Sequence, residues 1–183
     1  AGTIVEVGDG ATQKSGWKKG DRVCALLGGG GYAEYVNVRY DMLMPVPGNC
    51  TMVEAAAMLH DIGIFLTNAP DIDCHGSEHY ICHGILGADL LRREGVDEAI
   101  ARVAERHTGA GLTIDDIERQ QLPLPRKDYL PETMLEKLIC YADKFFSKSG
   151  KMQEKPLNKV RASMLHHSPE NLIRFNELHN LFK

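Results

Sequence analysis

The chain of 183 residues is 43% hydrophobic and 25% charged, with a formal net charge of −4. That length buries a core in one domain or two small ones. The mild acidity gives no electrostatic case for nucleic acid or an anionic membrane as main partner, and no apolar run approaches membrane-spanning length.

The five cysteines, Cys24, Cys50, Cys74, Cys82 and Cys140, are odd in number and none lies in a C-x-x-C. Free thiols in a reducing compartment are expected, and no structural zinc site. No charged segment followed by an apolar one opens the chain, so no signal peptide is expected and the expected location is cytoplasmic. The chain starts at Ala1 in mid-pattern, as if taken from something longer.

Residues 3–7 are expected to form a strand, followed by turns at Gly8–Gly10 and Gly16–Asp21. Arg22–Leu27 is apolar enough for a buried strand, and Tyr32–Val38 alternates with period two. Between them, Gly28-x-Gly30-x-x-Ala33 satisfies the dinucleotide fingerprint as a string. The fingerprint works when a helix N-terminus follows and meets the pyrophosphate. Here a strand pattern follows instead of a helix. A hairpin is the better reading.

Gly20-Asp21-Arg22-Val23, Gly30-Gly31-Tyr32-Ala33-Glu34-Tyr35 and Pro45-Val46-Pro47 resemble the GroES-like catalytic domain of zinc-free medium-chain quinone oxidoreductases. The resemblance spans about the first 57 residues. It lacks the domain's first strands and the cofactor-binding domain that should follow, so an NADPH-dependent oxidoreductase is the least favoured of the functions weighed.

Thr51-x-x-Glu54 is a capping box, and Val53, Ala56, Ala57 and His60 fall at i, i+3, i+4, i+7 of the helix it opens. Asp61 ends that helix, with Gly63 placed to help. A polar loop is expected over 66–76. Ser77 is expected to cap a helix to about Arg93, with His79, His83, Leu86 and Leu90 on one stripe. Asp97 caps the next helix, on which Ile100, Val103, Ala104 and His107 share a face. A loop follows over 108–128, and Pro131 suits the first turn of a helix whose apolar face carries Leu135, Leu138, Ile139, Ala142 and Asp143. Ser168-Pro169-Glu170 opens a terminal amphipathic helix through Leu172, Phe175, Leu178 and Phe182.

His60, His83, His107 and Asp143 thus lie on faces expected to be buried, where an unpaired carboxylate is costly. One such histidine is best read as a satisfied core side chain. Four such residues with Asp61 suggest a shared polar cavity, and a divalent metal (Mn, Fe, Co, Ni, Zn or Mg) accounts for imidazoles and carboxylates together.

Leu59–Phe65, Cys82-His83-Gly84-Ile85-Leu86-Gly87-Ala88, Arg106-His107-Thr108-Gly109 and Tyr141-Ala142-Asp143 resemble the HD-domain metal-dependent phosphohydrolases over residues 54–183. The resemblance implies a mostly α, helical-bundle fold and metal ligands His60, Asp61 and Asp143. It implies catalytic roles for His83 and His107 near a substrate phosphate or second metal. A family histidine on an earlier helix has no counterpart, since no histidine precedes His60. Tyr40 and Asp41 stand in that region without a spacing that assigns them. His79 has no mapped role, and His75, His166, His167 and His179 are expected at the surface.

The chain therefore reads as a composite, by gene fusion, engineering or assembly error: a partial GroES-like β segment over 1–53 and an HD domain lacking its first helix over 54–183. The expected function is hydrolysis of a nucleotide-like phosphate ester by a metal-bound hydroxide. The expected partner is a small phosphorylated substrate, with no nucleic acid, no membrane and a homo-oligomer possible. The alternative is a protein that binds metal or ligand without turnover.

Overall fold

The computed structural model describes residues 2–24, 35–45, 51–146 and 154–183. It is mostly helical, as expected, and its contacts divide the chain into two compact units, Ala1–Cys50 and Thr51–Lys183.

In the first unit, β1 (Gly2–Thr3), β2 (Arg22–Cys24) and β3 (Met44–Pro45) form an antiparallel sheet in the order β1-β2-β3. The strand expected over 3–7 covers only its first residue. A five-residue helix, α1 (Ala11–Ser15), follows the turn at Asp9–Gly10 and stops at Gly16, whose φ of 79° suits glycine. The glycine run, residues 25–27 of the second expected strand and residues 32–34 of the third lie outside the described residues. Tyr35–Val38 is not a strand. Asp41 is held by Arg39, Nε to Oδ1 at 3.1 Å.

In the second unit, Thr51 caps α2 (Met52–Leu59) with both halves of the capping box formed. Of the face expected to be buried, Ala56 is buried and His60 is half-buried, while Val53 and Ala57 are exposed. The helix packs on α4 and α6 through Ala55, Ala56, Leu59 and His60, so its apolar contact is turned from the stripe the spacing suggests. A short 3-10 helix, Ile62–Leu66, follows. The expected loop contains a two-stranded antiparallel ribbon, β4 (Asn68–Ala69) with β5 (Cys74–His75).

The next helix does not begin at Ser77. A 3-10 turn, Tyr80–Cys82, is capped by the His79 side chain and runs into α3 (His83–Arg93), so His79 precedes the helix and shares no stripe with His83. The buried face of α3 is His83, Gly84, Gly87, Ala88 and Leu91. Small residues dominate because neighbouring backbone comes close. A Cβ on Gly84 would stand 2.8 Å from the Ala104 carbonyl oxygen, and one on Gly63 would stand 2.1 Å from that of His83.

α4 (Glu98–Arg106) is capped by Asp97 and buries Ile100, Val103, Ala104 and the following His107. Two helices of the second unit were not expected. α5 (Ile114–Gln120) is opened by a Thr113–Asp116 capping box inside the expected loop, and α7 is Leu157–His167. α6 (Met134–Asp143) begins beyond Pro131, because Thr133 and Glu136 make its capping box. α8 (Pro169–Phe182) starts at Ser168 as expected.

Ala56, Val103 and Ile139 bring α2, α4 and α6 together, while Cys140, Val160, Met164, Phe175 and Leu178 join α6 to α7 and α8. Burying this apolar surface supplies the main driving force for the bundle. Glu136, 1% exposed, accepts from Arg102 Nε at 2.8 Å, so its buried charge is paired. Cys74, Cys82 and Cys140 are free thiols. Among the described residues no helix is long and apolar enough to cross a membrane.

Candidate metal centre

Three imidazoles meet at one place because each follows a helical turn that fixes its ring. His60 ends α2, His107 ends α4, and His83 follows the 3-10 turn before α3. Each Nδ1 lies 2.8 Å from the carbonyl oxygen three residues earlier: Ala57 for His60, Tyr80 for His83, Ala104 for His107. A carbonyl only accepts, so each Nδ1 carries the hydrogen and each neutral ring presents an Nε2 lone pair.

Those lone pairs converge on Asp61. Its Oδ1 is 3.1 Å from His107 Nε2 and 3.6 Å from His83 Nε2, and its Oδ2 is 3.2 Å from His60 Nε2. The Nε2 atoms of His83 and His107 are themselves 3.1 Å apart. Asp143 Oδ1 stands 3.4 Å from His60 Nε2. Asp61 sits where α2 has ended, with φ −100° and ψ 7°, in the bridge region that active-site residues often occupy.

A cluster of acceptors this tight needs protons or a cation between its members. Without a metal, His60 takes a proton. Burial opposes its charge, but the Asp143 and Asp61 carboxylates outweigh that and raise it from 6.5 to about 9. His107 moves the other way: burial lowers it, Asp61 opposes, and the charges of Lys144 and His60 add to the lowering. His60 Nε2 is buried and lacks a partner in hydrogen-bond geometry, although two carboxylate oxygens are within ion-pair distance. Such an atom, pointed at carboxylates and neighbouring imidazoles, fits a divalent cation.

His60, Asp61 and His107 each offer a ligand atom, and these atoms lie within 4.8 Å of one another. Two of them, His60 and Asp61, are sequence-expected ligands. The third, His107, carried an expected catalytic role. Asp143, the remaining expected ligand, meets the group at His60, and His83 meets it at His107 and Asp61. His75 and His79 are exposed, as are His166 and His167, whereas His179 is half-buried and bonded to the Tyr141 hydroxyl at 2.9 Å. Lys144, which sequence reasoning passed over, donates to Asp143; its only signal in the sequence is a cation immediately after a carboxylate expected to be buried.

A helical bundle with histidines and aspartates converging at the ends of α2, α4 and α6 defines a candidate divalent-cation-binding domain. The chain belongs to the HD domain family, which matches residues 27–147, more than half its length. The alcohol dehydrogenase GroES-like domain family matches residues 1–48, in keeping with the composite reading.

The chain is 38% identical to a tRNA (cytidine(56)-2'-O)-methyltransferase of Picrophilus torridus, over 73% of this chain and 35% of that protein. It is 31% identical to the protein of the same name from Thermoplasma volcanium, over 69% of this chain and 34% of that protein. It is 38% identical to the uncharacterized protein MJ0778 of Methanocaldococcus jannaschii, over 72% of this chain and 73% of that protein. The chain thus spans about a third of the length of the two methyltransferases. No solved structure matches it significantly.

The expected phosphohydrolase activity is corrected by two of these relatives, which bear the name of a methyl-transfer enzyme. The motifs that suggested hydrolysis belong to the HD domain, and a domain match carries the fold and cluster without the reaction.

Proposed function

We propose that this chain is a divalent-cation-binding HD module that serves tRNA 2'-O-methylation. The observation that carries the cation is the convergence of three Nε2 lone pairs and the Asp61 carboxylate, with Asp143 beside His60. His60, Asp61 and His107 hold the ion, with Asp143 and His83 adjoining. A bound divalent cation would supply concentrated positive charge to an anionic oxygen ligand. The Nδ1–carbonyl bonds orient the rings before any ion arrives, which lowers the cost of assembling the site.

The link to tRNA rests on the names of two relatives, of whose length the chain spans about a third. A net charge of −4 gives no general field for RNA, so contact with tRNA runs through a localised site, with the cation as the natural bridge to phosphate.

The test is calorimetric titration with Mn(II) of protein stripped by chelator and then dialysed free of it, followed by a tRNA gel shift with and without the ion. About one ion per chain and a tRNA complex that requires it support the proposal. Failure to take up Mn(II), Ni(II) or Zn(II) removes the cation reading, and ion uptake without a tRNA complex removes the RNA reading alone.

A further inference from the structure

We infer that Lys144 is a positioning residue for the cation site, locking the Asp143 carboxylate and the end of α4 in register. The inference rests on the cation reading above and goes beyond its ligand set.

Lys144 follows the last residue of α6, where a lysine normally extends into water and gains a little from the helix dipole. This one turns inward. Its side chain is 9% exposed, and Nζ donates to Asp143 Oδ2 at 2.8 Å and to the His107 carbonyl oxygen at 2.9 Å. Burying a lysine is costly unless its donors are used, and both acceptors sit at helix ends that carry site residues. The His107 carbonyl, at the end of α4, is among those a helix leaves without an internal partner.

One nitrogen therefore ties together the peptide that bears a ligand imidazole and the carboxylate that faces a second one. With Oδ2 engaged by Lys144, Oδ1 is the oxygen turned to His60 Nε2, at 3.4 Å. Lys144 thus selects which carboxylate oxygen is presented and fixes its direction, the work that partners of metal ligands do in other sites.

The sign of one measurement separates positioning from simple electrostatics. Removing a positive charge beside a cation site should tighten ion binding by Coulomb's law alone. Removing a positioning residue should weaken it, by about 10- to 100-fold. The experiment is calorimetric Mn(II) titration of the full chain, wild type and Lys144→Met, with thermal unfolding of both metal-free proteins as a check on folding. We expect weaker Mn(II) binding in Lys144→Met. In an Asp143→Ala background the same change should cost less than in wild type, because the contact to Asp143 is already gone and only that to the His107 carbonyl remains to be lost.

Unchanged or tighter binding in Lys144→Met overturns the inference, as do fully additive losses in the double variant. If Lys144→Met does not fold, Lys144→Gln, which also gives up the charge, carries the same expectation. A wild-type protein that takes up no Mn(II) overturns the cation reading and this inference with it. Wild-type uptake with an indifferent Lys144 variant overturns this inference alone.

Discussion

Asp61 Oδ1 lies 3.1 Å from His107 Nε2, joining the end of α2 to the end of α4 across 46 residues of chain. The same oxygen is 3.6 Å from His83 Nε2 and the other oxygen of the carboxylate faces His60, so one side chain serves three imidazoles. Asp61→Asn keeps the shape and removes the charge. We expect Mn(II) affinity to fall by at least about 10-fold, and the His60 midpoint in the metal-free protein to drop below about 9, since Asp61 is one of the two carboxylates that raise it. Calorimetry reads the first effect and histidine NMR the second. An affinity equal to wild type would remove Asp61 from the ligand set.

The raised His60 pKa also makes stability depend on pH in a defined direction. The folded protein binds this proton more tightly than the unfolded chain, with midpoints of about 9 and 6.5. The stabilisation is fully present below pH 6.5 and is lost as pH rises through 9. Its full size is on the order of 3 kcal/mol. Metal-free protein should therefore melt at lower temperature at pH 9 than at pH 7, with the difference reduced in His60→Gln. Metal uptake should show the opposite trend. At pH 7 a bound ion displaces the His60 proton, so binding releases about one proton per ion and strengthens as pH rises. Titration in two buffers of different ionisation enthalpy measures that proton.

Much of the bundle was legible because capping chemistry and apolar spacing act locally. Thr51, Asp97 and Ser168 each satisfy backbone donors that follow them, so those helices begin where expected. His83 and His107 were recognisable as buried because both occupy helical faces with apolar companions. The start of α3 was not legible: Ser77 has the right chemistry for a cap, but the chain stays in a bridge to Thr67 at Glu78, and His79 caps a 3-10 turn instead. α5 and α7 were missed because Asp116 acts as a cap partner within a Gly- and Pro-containing stretch, and α7 is buried mainly at Val160 and Met164. The shared centre itself depends on which carbonyls hold Nδ1 and on the crossing of helices far apart in sequence, neither of which spacing encodes.

Gly63 is the place where the fold and the centre depend on the same few atoms. It is buried in the 3-10 helix directly after the His-Asp doublet, and a Cβ there would lie 2.1 Å from the His83 carbonyl oxygen and 2.4 Å from the Gly87 nitrogen. Both obstacles are backbone, so relief requires the 3-10 helix and α3 to separate. Gly63→Ala should cost about 3 kcal/mol, at the upper end of what overpacking usually costs, because no flexible side chain can yield. The same displacement moves Asp61 away from His83 and His107, so Mn(II) binding should weaken by more than at an equally destabilising site away from the centre. Val160→Ala, in the core between α6, α7 and α8, supplies that comparison. Denaturant unfolding gives the two stabilities and calorimetry the two affinities. Equal ion affinities at matched loss of stability would mean that Gly63 serves packing alone.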